Sequence, residues 1–114
     1  NSPATHIELF YQGEELSFSK AELPIKLGRD NTACDLVIDS ELASRIHCLI
    51  EVKDNQIGLS DKSTNGTFIR IGRNDSFVIK HAFYPLIGKG HIKLGEQFDS
   101  DESEVVYFRM VSKA

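Results

Sequence analysis

The sequence predicts an all-β fold, an eleven-stranded antiparallel β-sandwich. Three observations carry that expectation. Eleven short runs rich in Ile, Val and Phe recur along the chain, and several alternate apolar with polar residues at the period of a half-buried strand. Gly, Asn, Asp and Ser separate them at close, fairly regular spacing. The helical segments that βαβ units need between strands are missing.

The runs follow in order. Residues 6–11 place Ile7, Leu9 and Tyr11 on one side, and residues 15–18 follow after Gln12-Gly13-Glu14, a short Gly-bearing connection that predicts a hairpin. Further runs lie at 24–28, 35–38, 47–52, 56–60, 67–71, 76–80, 84–87, 91–95 and 105–111. Within residues 17–23, Ser19 and Glu22 have capping-box spacing, but Pro24 stops any helix within a turn, so the segment reads as a loop. The acidic stretch 99–104 reads as an exposed turn between strands, because like charges this close repel.

A chain of 114 residues suits one domain, over 6–111, with short tails at 1–5 and 112–114. It opens without methionine, which points to a module of a longer polypeptide, and it shows no leader and no run of apolar residues long enough to cross a membrane. Thirteen Lys and Arg face seventeen Asp and Glu, a formal charge of −4, which argues against nucleic acid as a partner. Two cysteines, Cys34 and Cys48, are too few for a disulfide scaffold. A reducing, cytoplasmic or other intracellular compartment is the expectation. No metal-ligand spacing and no nucleophile elbow occurs, so no catalytic residue, metal or cofactor is assigned. Ser44 with His47 is the one pair resembling a nucleophile and base, and nothing around it resembles a hydrolase.

Three clusters at strand ends stand apart. They are Gly28-Arg29, Ser44-Arg45-Ile46-His47 and Ser63-Thr64-Asn65-Gly66-Thr67. Each alone is commonplace. In this order, with strands between them and a late Ile92-Lys93-Leu94-Gly95, they resemble the forkhead-associated (FHA) domain, and the resemblance spans about residues 6–111. It implies an eleven-stranded sandwich whose loops at one end bind phosphothreonine peptides.

The residue types suit that task. A phosphothreonine brings about −1.5 to −2 charges and three acceptor oxygens, so a receptor needs a fixed cation and neutral donors. Arg29 supplies a permanently charged fork, and Gly28 is expected to let the backbone turn sharply and aim it. Ser44 offers a hydroxyl and, at the start of a turn, a backbone N–H. By resemblance, Arg45 adds a long basic side chain beside the phosphate, Thr64 donates to it, and Asn65 bonds the peptide backbone on both sides. His47 is implied to pin one loop to its neighbour. Ser63 and Thr67 scaffold the loop, and Gly66 supplies a positive φ; Asn65-Gly66 also reads as a hairpin turn. One departure is Gly88-Lys89-Gly90, where many family members carry Gly-Asp. The apolar Leu42-Ala43 pair before Ser44 predicts an apolar preference three residues after the phosphothreonine. The rival reading is an FHA-like sandwich that binds a partner without phosphate or dimerises an attached enzyme.

Overall fold

The computed structural model describes residues 3–99 and 103–113, so the middle of the acidic stretch lies outside the described residues. Eleven strands form two sheets. They are β1 (His6–Tyr11), β2 (Glu14–Ser19), β3 (Ile25–Gly28), β4 (Leu36–Val37), β5 (Cys48–Lys53), β6 (Gln56–Asp61), β7 (Thr67–Ile71), β8 (Phe77–Ile79), β9 (Phe83–Pro85), β10 (Lys89–Leu94) and β11 (Val106–Val111). One sheet has the order β2-β1-β11-β10-β7-β8 and the other β4-β3-β5-β6-β9. Alternation in the sequence becomes the two faces of each strand: Ile7, Leu9, Ile69, Ile92, Leu94 and Phe108 from the first sheet meet Leu27, Ile50 and Leu59 from the second, all 2% exposed or less. Each such side chain contributes roughly 1.5–3 kcal/mol by leaving water, which makes this layer the main source of stability.

Two hairpins follow from their turn residues. Gln12 and Gly13 take φ of 47° and 83°, and Asp54 and Asn55 take 51° and 64°; a pair of positive φ values is the primed turn that matches strand twist.

Three expectations need correction. The sandwich is not wholly antiparallel, because β3 and β4 run parallel, with Leu27 opposite Leu36. The intervening loop folds back across the strand end, held by Asp35 N–H to Lys26 O at 2.8 Å and Ile38 N–H to Gly28 O at 2.8 Å. Residues 17–23 are not all loop: Lys20–Glu22 make one 3-10 turn, and the Ser19 N–H donates to Glu22 Oε1 at 2.8 Å, the bond that the Ser19–Glu22 spacing permits. Asn65-Gly66 does not close a hairpin, because β6 and β7 belong to different sheets. The 62–66 segment instead carries the chain across one end of the sandwich.

Candidate functional site

Loops 29–35, 38–47 and 62–66 meet at that end, joined mainly through backbone groups. Arg29 N–H donates to Ser44 O at 3.0 Å, Asp30 N–H to Arg45 O at 3.2 Å, and His47 N–H to Leu27 O at 2.8 Å, so residues 44–47 run alongside the end of β3. Thr64 N–H donates to Ser44 Oγ at 3.2 Å, which brings the third loop against the second. Arg29, Ser44, Arg45, Thr64 and Asn65 are thereby gathered at one edge. Ser44 is half-buried and the other four are exposed.

Each side chain's remaining hydrogen-bonding capacity defines what the edge can receive. Arg29 Nε donates to Ala43 O at 3.0 Å, fixing the guanidinium plane and leaving its terminal N–H groups for a ligand. Ser44 Oγ accepts from Thr64, and its own hydrogen remains to donate. The Ser44 backbone N–H, expected to face the ligand, does not: it donates to His47 Nδ1 at 2.9 Å. Asn65 Nδ2 donates to Leu42 O at 3.3 Å, and its Oδ1 and second N–H point to no bonding partner among the described residues.

Gly28 works differently from the expected sharp turn. Its φ is not positive, but a Cβ there would lie 2.3 Å from Arg45 O. The glycine lets the Ser44–Arg45 backbone press against β3. Gly28→Ala should therefore cost about 1–3 kcal/mol through forced separation of the two segments, read as a lower urea midpoint; an unchanged midpoint would contradict this packing. Gly66 does need its conformation, with φ of 91°.

His47 is fully buried. Its Nδ1 accepts from Ser44 N–H, so Nε2 carries the hydrogen and donates to Gly66 O at 2.8 Å, tying the second loop to the third. Burial holds the imidazole below its ordinary pKa of 6.5, against the upward pull of the Gly66 carbonyl and Asp61. Below pH 6.5 the unfolded chain then takes up a proton that folded His47 resists, so stability should fall as pH drops through that range. Urea midpoints at pH 7.5 and 5.5 check the sign.

Sequence reading missed the group beneath these loops. Asp61, 1% exposed, closes β6 and accepts from Ser63 Oγ at 2.6 Å, Thr67 Oγ1 at 2.7 Å, His81 N–H at 3.0 Å and Ser63 N–H at 3.2 Å. Ser63 Oγ in turn accepts from Gly66 N–H at 2.7 Å. Burial pushes the Asp61 carboxyl up, and the Ser63, His81 and Thr67 hydrogen bonds outweigh it, holding the group ionised below the usual carboxylate range. The available signal was Asp61 two residues before Ser63, the spacing of an Asx turn. Gly95 was also unassigned: it takes φ of 86°, donates to Gly66 O at 3.0 Å, and a Cβ there would lie 2.2 Å from Leu42 O. Lys89, the departure noted in sequence, opens β10 at the opposite end of the sheet, because β10 pairs Leu94 with Thr67 and Gly90 with Ile71.

Among the described residues no His, Cys, Asp or Glu cluster suits a metal, and no helix is long and apolar enough to cross a membrane. Cys34 and Cys48 are both free thiols.

Comparison with known proteins places this geometry. No curated protein matches the chain. Similar solved structures include the FHA-1 domain of Rv1747 from Mycobacterium tuberculosis, 20% identical, covering 96% of this chain and 99% of that one at a TM-score of 0.67. The MEK1 FHA domain in complex with a HOP1 phosphothreonine peptide is 22% identical, covering 91% and 95% at 0.69. The N-terminal FHA domain of Saccharomyces cerevisiae Rad53p, in complex with a phosphothreonine peptide, is 19% identical, covering 94% and 93% at 0.66. These likenesses establish the fold. The family model for the FHA domain matches residues 25–95, which include all three loops, and this chain belongs to the FHA domain family.

Proposed function

We propose that this chain is a phosphothreonine-dependent peptide-binding module that acts by recognition and not by catalysis, within a larger intracellular signalling or regulatory protein. The observation that carries the reading is the convergence of Arg29, Ser44, Thr64 and Asn65, each with donors left over, on one edge of the sandwich. Two structural neighbours hold phosphothreonine peptides. Recognition of a phosphorylated motif through arginine is a mode for which FHA domains are a standard example.

In this reading Arg29 supplies charge and paired donors to the phosphate, Ser44 and Thr64 donate hydroxyls, and Arg45 adds a second cation. Asn65 uses Oδ1 and its remaining N–H on the peptide backbone. Hydrogen bonds to a charged group contribute roughly 1.5–3 kcal/mol each, and ordering the peptide offsets part of that, so affinity near micromolar, about −8 kcal/mol, is expected. Leu42 is 44% exposed beside Asn65, and Val78, 48% exposed, lies under Gly66. Both support an apolar preference three residues after the phosphothreonine; an oriented phosphopeptide library dominated there by Asp would contradict it.

Titration with matched phosphorylated and unphosphorylated peptides tests the function. Only the phosphorylated form should bind, and equal binding would favour phosphate-independent association. Affinity should also fall between pH 7.5 and 5, because the phosphate's second pKa is about 6 and the dianion is lost below it.

A further inference from the structure

The outward face of the six-stranded sheet differs from the rest of this acidic surface. Phe10, Tyr107, His91 and Arg70 stand side by side across β1, β11, β10 and β7. The adjoining row holds Glu8, Arg109 and Lys89. The His91 and Tyr107 rings lie 4.7 Å apart between centroids, and the Arg109 guanidinium sits 5.9 Å over the Phe10 ring. Between them runs a groove of about 400 Å³ with aromatic walls, and Arg73, Lys89 and Arg109 around it. It opens toward a second hollow of about 500 Å³ lined by Arg70, Arg73 and Asp75 at the β7–β8 turn.

Among the described residues the cations of this face, Arg70, Arg73, Lys89 and Arg109, outnumber its acids, Glu8, Asp75 and Glu15, the last opposite Phe10. Glu8 accepts from Arg109 Nε at 2.8 Å, and Asp75 is the acid of the neighbouring hollow. Arg73 and Lys89 are exposed, and among the described residues neither makes an ion pair. A chain of charge −4 therefore carries a cationic, aromatic groove at the far end of β7 and β10 from the Arg29 loops.

We propose that this groove is a second binding site, one for an acidic peptide segment carrying an aromatic or aliphatic anchor, and that it works independently of phosphate. The cations fit carboxylates by charge, and the Phe10–Tyr107–His91 walls fit one apolar side chain. An extended peptide presents alternate side chains on one face, so an acid–anchor–acid spacing sets two carboxylates roughly 13 Å apart around a central anchor. A short acidic segment suits the groove better than a nucleic acid, whose long phosphate chain would meet the acidic remainder of the surface. The five-residue β7 separates the two ends by roughly 15 Å, so one partner bearing both a phosphothreonine and an acidic segment could occupy both sites and gain by effective concentration.

The test is titration of the ¹⁵N-labelled chain with an unphosphorylated peptide of Glu and Asp residues around a central Phe. Amide shifts should concentrate on Gly72, Arg73, Lys89, His91 and Tyr107. The double variant Arg73→Glu, Lys89→Glu should weaken binding at least about tenfold while the remaining spectrum and the phosphothreonine-peptide affinity stay as in the parent. Replacing the peptide's Phe by Ser should also weaken it. Absence of shifts on this face at millimolar peptide, shifts confined to the Ser44 and Thr64 loops, or tighter binding there of oligothymidine than of the peptide would each overturn the proposal.

Discussion

Asp61→Ala is expected to lower folding stability by about 3–5 kcal/mol, the range for breaking a buried charged network by removing one partner. The substitution strips the acceptor from four donors at once, two hydroxyls and two backbone N–H groups. The hydroxyls can turn elsewhere, but the Ser63 and His81 amides are fixed by the chain. Ser63 Oγ also receives Gly66 N–H, so the loss passes from β6 into the loop that carries Thr64 and Asn65. Asp61→Asn separates the contributions: its one remaining carbonyl oxygen can still accept from the hydroxyls, while its amide turns a donor toward the two backbone N–H groups. A smaller destabilisation is expected for Asn, with faster amide exchange at Gly66 in both variants. Urea unfolding together with hydrogen exchange checks this, and a midpoint loss without faster Gly66 exchange would disconnect Asp61 from the loop.

The sandwich was legible because its strands carry their signal locally. Ile7, Leu9 and Tyr11 alternate whatever they pair with, and Gln12-Gly13 selects a primed turn without help from the rest of the molecule. Strand direction and partnership are not local properties. Nothing in Leu36-Val37 tells a parallel edge strand from an antiparallel one, and Asn65-Gly66 looks the same whether the chain returns to its own sheet or crosses to the other. The exposed members of the candidate site were named from residue type and order, and the fold brings them to one edge. What holds them was harder to read, since Asp61 resembles any polar residue at a strand end until burial shows it facing inward with four donors around it. Gly28 shows the same limit. Its presence was noticed, but the reason is a carbonyl contributed from seventeen residues further along, at Arg45.

The buried layer also explains why the exposed side chains can act together. His47 accepts from the Ser44 amide on one side and donates to the Gly66 carbonyl on the other, so two loops remote in sequence are tied through one buried side chain. This use of the Ser44 amide removes it from the ligand's reach. With that amide engaged, the proposed phosphate site leans more on its side-chain donors, and the charge among them matters more.

Arg29→Ala is accordingly expected to weaken phosphothreonine-peptide binding on the order of 100-fold while leaving folding nearly unchanged. Loss of two charge-assisted hydrogen bonds corresponds to about 3 kcal/mol or more, and each 1.4 kcal/mol is a factor of ten. Stability should hold because Arg29 is exposed and the one hydrogen bond its side chain makes among the described residues, Nε to Ala43 O, lies at the surface end of β3, while its backbone bond to Ser44 O survives the substitution. Arg29→Lys sharpens the point. Lysine keeps the charge but has no fork, and an ammonium that reaches the phosphate cannot at the same time be braced by Ala43 O as the guanidinium is. A loss of about tenfold or more is expected for Lys if geometry contributes alongside charge. Isothermal titration with one phosphopeptide across the three proteins, beside urea curves for each, separates the cases. Equal affinities for parent and Lys variant would reduce Arg29 to a point charge, and equal affinities for parent and Ala variant would remove it from the site.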